Sequence, residues 1–144
     1  MLIHSAKELP LCLFWTTRND MLTAIHKVSS FLLIALGIVH TALTRVFFQE
    51  FSIDALWFAG SGLAMIFVGF LNIVMSGEAG RDRLVRILCY AANLLTLVFG
   101  LVLIRLDREP QVILGLLLIA IMTITAFMLT TSQTRRETGR SASG

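Results

Sequence analysis

The sequence predicts an all-α integral membrane protein with four transmembrane helices. Hydrophobic residues make up 56% of the 144 positions and charged residues only 15%, which is more apolar than a soluble domain of this size. The charges cluster in short stretches between four long apolar runs. Each run is long enough to cross a hydrocarbon core of roughly 30 Å as a helix. Because the connections are short, we expect an up-down-up-down bundle.

The first 20 residues mix charged residues with Leu, Phe and Trp and contain Pro10. This composition is typical of a segment at the headgroup level, so we expect residues 1–20 to form a cytoplasmic, interfacial N-terminal segment. They lack the basic start, sustained apolar core and cleavage site of a signal peptide, so we expect no cleaved leader. The transmembrane domain is predicted over residues 21–131.

The first span is predicted over about residues 28–48. His26 and Lys27 precede it, and we expect both at the headgroup boundary. His40 lies about six residues from the other end, a depth that matches Ser61 of the second span. Residues at three- and four-residue steps share one face of a helix. Small and polar residues concentrate on such a face, which is formed by Ser30, Leu33, Gly37, His40 and Thr44.

The second span is predicted over about residues 54–75. Ser52 and Asp54 are residue types that favour a helix N-terminus, and Trp57 lies one turn in, at the interfacial level. Small residues recur at intervals of seven, and such a face lets neighbouring helix backbones approach closely in lipid. We therefore predict that this helix is the hub of the bundle. Its small residues are Ala55, Gly62 and Gly69, with Ala59 beside them.

The third and fourth spans are predicted over about residues 84–106 and 111–131. Pro110 is placed for the first turn of the fourth helix. Residues 132–144 are polar and rich in Ser, Gly and Arg, so we predict a disordered cytoplasmic tail. Both spans carry a stripe at helical spacing. The stripes are Cys89, Asn93, Thr96 and Gly100 in the third span, and Gly115, Ile119, Met122 and Ala126, with Thr123 adjacent, in the fourth.

The distribution of Lys and Arg predicts the orientation. Nine of the twelve lie before the first span, at or near the second connection, and in the tail, and the other three are Arg45, Arg105 and Arg108. Because Lys and Arg favour the cytoplasmic side, we expect both termini in the cytoplasm. The predicted location is the bacterial inner (plasma) membrane, crossed several times.

A few polar side chains fall inside the predicted spans. By depth, Asn72 matches Ser29 or Ser30 of the first span, and Asn93 matches Thr123 of the fourth. We expect interhelical hydrogen bonds, worth roughly 0.6 to 2 kcal/mol each. The alternative is that some of them line a path for a ligand or an ion. The candidate residues are His40, Ser61, Gly62, Gly69, Asn72, Asn93, Thr96 and Thr123.

Several functional classes lack the residues that they require. The predicted spans contain no Asp or Glu between their ends, which argues against a proton-coupled exporter of the small multidrug type. Cys12 and Cys89 form neither the CxxC of a membrane thiol oxidoreductase nor a zinc-ligand spacing. The formal net charge of +3 comes with no basic run with interleaved aromatics, so we expect no nucleic-acid partner.

His26 and His40 are 14 residues apart and therefore on one face of the first helix, about 21 Å apart. This spacing is similar to that in helices of di-haem b-type cytochromes, and the resemblance implies two axial haem ligands. The only other histidine is His4, so the second ligands would come from a symmetric homodimer. We expect no cofactor, with His26 and His40 as the candidates should a haem bind.

Two functional hypotheses follow. The chain shows no nucleophile, carboxylate pair or metal-ligand set, so the first is a non-enzymatic accessory or scaffold subunit of a membrane complex. The alternative is a small oligomeric transporter or channel, whose path would pass His40, Asn93 and Asn72. Whichever hypothesis holds, the partners that we expect for the protein are the lipid bilayer and either other membrane subunits or further copies of itself.

Overall fold

A computed structural model describes the backbone of residues 9–106 and 108–141, and the side chains of residues 17–106 and 108–132. The described chain is helical apart from short connections. Each of its four long helices contains a stretch long and apolar enough to cross a membrane, which indicates a multi-pass membrane protein. The helices are α1 (Leu9–Phe47), α2 (Ile53–Met75), α3 (Arg83–Leu106) and α4 (Pro110–Ser141), with a 3-10 turn at Glu78–Arg81.

Local sequence determines where α2, α3 and α4 begin. The Ser52 side chain accepts a hydrogen bond from the Ala55 backbone N–H at 3.2 Å and so caps α2. Asp82 Oδ1 accepts from the Leu84 N–H at 2.6 Å, at the start of α3. Pro110 is the first residue of α4, where a helix needs no N–H. The predicted starts of these three spans lie within one residue of the observed ones.

α1 is longer than the predicted first span. It is one helix of 39 residues from Leu9, so residues 9–20 of the predicted N-terminal segment continue into the span as the same helix. Residues 1–8 lie outside the described part of the chain. Pro10 lies in the first turn, where proline is tolerated, and Gly37 is the only glycine of the helix. At 1.5 Å per residue α1 is about 58 Å long, which exceeds the thickness of a hydrocarbon core.

α4 also extends beyond its predicted end. The backbone is helical to Ser141, so α4 continues through residues 132–141, where the sequence predicts a disordered tail. Arg, Gln and Glu favour a helix once one has begun, and Gly139 is the only glycine in residues 132–141. Residues 142–144 lie outside the described part of the chain. The apolar run therefore located the span but not the end of the helix.

α1 is the central helix of the structure. It packs most extensively on α2 and then on α4, α4 also packs on α3, and α2 and α3 touch far less. The prediction that α2 is the hub is therefore wrong. The small-residue face of α2 packs against one neighbour, α1. A Cβ on Gly62 would lie 2.8 Å from the Gly37 carbonyl oxygen, and one on Gly69 would lie 3.0 Å from that of Ser30. Glycine at these positions lets the α1 and α2 backbones touch.

The predicted inward faces are buried. All four positions of the α4 stripe are buried, as are the three α2 residues spaced by seven. On α3, Cys89 and Asn93 are fully buried, while Thr96 and Gly100 are half-buried. The burial confirms that helical periodicity identified the packed face of each helix. The main apolar cluster consists of Leu33, Val68, Leu118, Ile119 and Met122.

Candidate functional site

Polar side chains from all four helices meet in one layer of the structure, here called the polar core. Four of them have no exposed surface, and the fifth is 5% exposed. Buried polar groups require hydrogen-bond partners, and more so where lipid surrounds the helices. The polar core consists of His26 of α1, Asn72 of α2, Cys89 and Asn93 of α3, and Thr125 of α4.

Asn72 and Asn93 form a reciprocal amide pair that joins α2 to α3. Asn72 Nδ2 donates to Asn93 Oδ1 at 2.7 Å, and Asn93 Nδ2 donates to Asn72 Oδ1 at 2.9 Å. Asn72 Nδ2 also donates to the Val68 carbonyl at 2.8 Å, and Cys89 Sγ donates to Asn72 Oδ1 at 3.3 Å. Each amide therefore satisfies the other inside the packed helices.

His26 joins α1 to α2 and α4. Its Nε2 lies 3.2 Å from the Asn72 carbonyl oxygen, and its Nδ1 lies 2.8 Å from Thr125 Oγ1. Because a carbonyl only accepts, Nε2 donates to it, and in the neutral ring Nδ1 then accepts from the Thr125 hydroxyl. The single Thr125 proton is then not shared with the Ile121 carbonyl, which lies 2.8 Å from the same oxygen. His26 is fully buried between α1, α2 and α4, whereas its neighbour Lys27 lies on the exposed face of α1.

The partners predicted for the two asparagines are wrong. The described partners of the Asn72 side chain are Val68, Cys89 and Asn93 and include neither Ser29 nor Ser30; Ser30 Oγ donates to the His26 carbonyl one turn back on α1, at 2.8 Å. Thr123 Oγ1 donates to the Ile119 carbonyl of its own helix at 2.7 Å, and not to Asn93. A short hydroxyl side chain on a helix reaches the carbonyl four residues back, so it does not need a partner from another helix.

His40 forms the predicted hydrogen bond with Ser61, with 2.9 Å between Nε2 and Oγ. Ser61 Oγ also donates to the Phe58 carbonyl at 2.7 Å. A hydroxyl has one proton, so in this arrangement His40 Nε2 donates to Ser61, and Nδ1 is left as an acceptor. The His40 ring stacks on Phe58, with 3.8 Å between centroids and 21° between planes. His40 is therefore held by two contacts to α2.

A crevice of about 130 Å³ lies beside His40, and residues of all four helices line it. We call it the His40 crevice. Its wall is apolar except at His40, Ser61, Thr96 and Gln111. A second cavity, of about 100 Å³, shares Leu36, His40 and Gln111 with it. His40 therefore lines both cavities.

Apolar side chains separate the His40 crevice from the polar core. Val68 lies between Ser61 and Asn72 along α2, and Leu33 lies between His26 and His40 along α1. Both belong to the main apolar cluster, which α4 completes. In the described chain His40, Ser61 and Thr96 line the crevice, Asn72 and Asn93 belong to the polar core, and Thr123 bonds to its own helix.

His26 and His40 differ in whether a ring nitrogen is available to bind a haem iron. Both ring nitrogens of His26 are hydrogen-bonded within the helices, so an iron atom would have to displace one of these bonds. At His40, only Nε2 is hydrogen-bonded to a residue that the structure describes. Within the described ranges, no group of three or more His, Cys, Asp or Glu residues could hold a metal ion.

Sequence reasoning missed Thr125 and Tyr90. Thr125 is the hydrogen-bond partner of His26 Nδ1. Tyr90 Oη lies 3.1 Å from the Ala126 carbonyl oxygen and 2.5 Å from Thr130 Oγ1, and these contacts join α3 to α4. The only sequence signal for Thr125 was a hydroxyl within an apolar run. That signal is shared with threonines that bond only to their own helix, such as Thr123.

Comparison of the chain with protein-family models, with curated proteins and with solved structures finds no match. Function is therefore inferred from the geometry of this chain alone. That geometry consists of a closed polar core, in which the polar side chains bind one another, and an open crevice beside His40.

Proposed function

We propose that this protein is a non-enzymatic accessory or scaffold subunit of a bacterial inner-membrane complex. The polar core is the observation that supports this proposal. Its amide, imidazole and hydroxyl groups bind one another across four helices and have almost no exposed surface. Such a core favours one arrangement of the helices. A rigid bundle suits a subunit that acts by presenting a fixed surface to its partners.

The proposal includes an up-down-up-down arrangement with both termini in the cytoplasm. It is supported by the nine-to-three distribution of Lys and Arg and by the short connections between the four helices. A fluorescent protein fused to the C-terminus should fold and fluoresce, whereas a secreted phosphatase fused there should be inactive. Phosphatase activity at the C-terminus would contradict either the number of spans or the orientation.

The alternative is a small oligomeric transporter or channel. The His40 crevice favours it, because this crevice is open and contains polar groups. The apolar cluster that includes Leu33 and Val68 lies between His40 and the two asparagines, which argues against a continuous polar path from His40 to Asn93 and Asn72. We therefore rank the scaffold role first.

Purification from native membranes tests the choice between the two. The tagged chain would be extracted into lipid nanodiscs without detergent, and the copurified proteins would be quantified by mass spectrometry. We expect an integral membrane partner in a fixed ratio to the chain. A matched variant, Asn72→Leu, should lose that partner because it disturbs the polar core, while Leu56→Ile on the exposed side of α2 should keep it. Recovery of a self-oligomer alone would contradict the scaffold role.

A further inference from the structure

The His40 crevice is accessible from the side where α2 and α3 separate. These two helices have little contact, and the hydrogen bonds between their side chains are those of Asn72 with Asn93 and Cys89, in the polar core and away from the crevice. Beside the crevice, Ala64 of α2 and Phe99 of α3 are both exposed and both line it. In a bilayer, lipid covers such an opening. A molecule dissolved in the membrane can therefore enter the crevice from the lipid, between α2 and α3.

The size and lining of the crevice limit what it can hold. Its volume is about 130 Å³, and its wall is almost entirely apolar. An apolar cavity of about 150 Å³ stays dry and binds a molecule the size of benzene. The crevice therefore has room for one ring or for a short branched chain, and the rest of a longer molecule would extend into the lipid.

The polar groups of the crevice define the complementary chemistry. His40 Nε2 donates to Ser61, so Nδ1 is an acceptor, and within the described ranges no group donates to it. Stacking on Phe58 holds the ring in place, so little conformational entropy is lost on binding. Gln111, at the first turn of α4, lines the same crevice and has both a donor and an acceptor.

We propose that the His40 crevice binds a membrane-dissolved alcohol, a molecule with an apolar body and one hydroxyl group. The hydroxyl donates to His40 Nδ1 and accepts from Gln111, and the apolar body fills the crevice towards Ile119. Lipid-soluble phenols and aliphatic alcohols share this chemistry. The proposal concerns a ligand of the crevice and does not depend on the scaffold role.

Photolabelling tests the proposal on the full-length protein in phosphatidylcholine nanodiscs. The probe is a phenol that carries a short alkyl diazirine, and mass spectrometry locates the labelled residues. We expect label on crevice residues such as Phe99 and Leu116. Unlabelled 4-pentylphenol should compete at a concentration about fivefold lower than 4-pentylanisole, because the ether lacks the donor of one net hydrogen bond. A parallel pair, 1-undecanol and its methyl ether, shows whether aliphatic alcohols bind as well as phenols.

Two variants test separately whether the hydroxyl group of the probe is recognised and whether the probe enters the crevice. His40→Phe keeps a ring to stack on Phe58 but lacks the acceptor, so it should retain label and lose the preference for 4-pentylphenol over 4-pentylanisole. Ala64→Phe should obstruct the opening and reduce the label at least severalfold. Leu63→Phe, at a neighbouring exposed position that does not line the crevice, is the matched control and should keep it.

Three results would overturn the proposal. Equal competition by each alcohol and its ether in the wild-type protein would show that the hydroxyl group is not recognised. Equal label in Ala64→Phe and wild type would show that the probe binds the outer surface rather than the crevice. Cross-links from the crevice to a second copy of the chain, with no competition by either alcohol, would show that a protein segment occupies it. The wild-type competition decides the matter even if a variant fails to fold.

Discussion

Replacing Asn72 with leucine should destabilise the protein by about 1 to 3 kcal/mol. The substitution removes the two hydrogen bonds to Asn93, of 2.7 and 2.9 Å. Interhelical hydrogen bonds in membrane proteins contribute about 0.6 kcal/mol on average and about 1.7 at most, so two of them give this range. Leucine has the branched outline of asparagine and a larger volume, so the substitution leaves no cavity at this fully buried position, and any overpacking adds to the loss.

A double-mutant cycle that combines Asn72→Leu with Asn93→Leu measures the interaction free energy between the two amides. Each single variant leaves one amide buried without its partner, which costs about 1 to 3 kcal/mol, whereas the double variant leaves neither. The double variant should therefore be less destabilised than the sum of the single variants, by about 1 kcal/mol or more. Free energies of unfolding would be measured by circular dichroism during reversible denaturation in mixed micelles of dodecyl sulfate and a mild detergent.

Additive effects in this cycle would refute the reasoning. They would mean that the two amides do not depend on each other for their hydrogen bonds, even though each donates to the other in the structure. Leu56→Ile is the control, because Leu56 lies on the same helix and is 55% exposed. Its free energy of unfolding should stay within about 0.5 kcal/mol of the wild-type value.

The same unfolding assay checks three further predictions. Gly62→Ala should destabilise by about 1 to 3 kcal/mol, because the added Cβ overlaps the α1 backbone. Gly60→Ala is its control and should be neutral or stabilising, because nothing lies within 4 Å of a Cβ there. His26→Phe should cost about 1 to 3 kcal/mol, because it breaks hydrogen bonds to both α2 and α4; a value near zero would contradict the role of the polar core. His40→Gln should retain more stability than His40→Leu, because glutamine can still bond to Ser61; equal losses would show that this hydrogen bond contributes little.

The starts of α2, α3 and α4 were predictable because their causes are local. Ser52 and Pro110 mark helix starts by their own chemistry, and the apolar runs that follow are visible in the sequence. The helix ends beyond the apolar runs were not predictable in the same way. Hydropathy reports where lipid can surround a helix, and it does not report where backbone hydrogen bonding stops, as the extension of α4 to Ser141 shows.

The partners of the buried polar residues were only partly predictable. Depth along a helix is one coordinate, and it correctly paired His40 with Ser61, since those two residues lie where α1 and α2 are in contact. It failed for Asn72 and Asn93 because several residues share each depth.

The sequence by itself determined the four apolar helices, their inward faces and the residues that had to find polar partners. Only the tertiary structure decided which helix is central, that His26 is buried, and that a crevice opens beside His40. The physical reason is that these features depend on the rotation and separation of packed helices. Close backbone contacts set both quantities at a few positions, as where Gly62 of α2 meets Gly37 of α1.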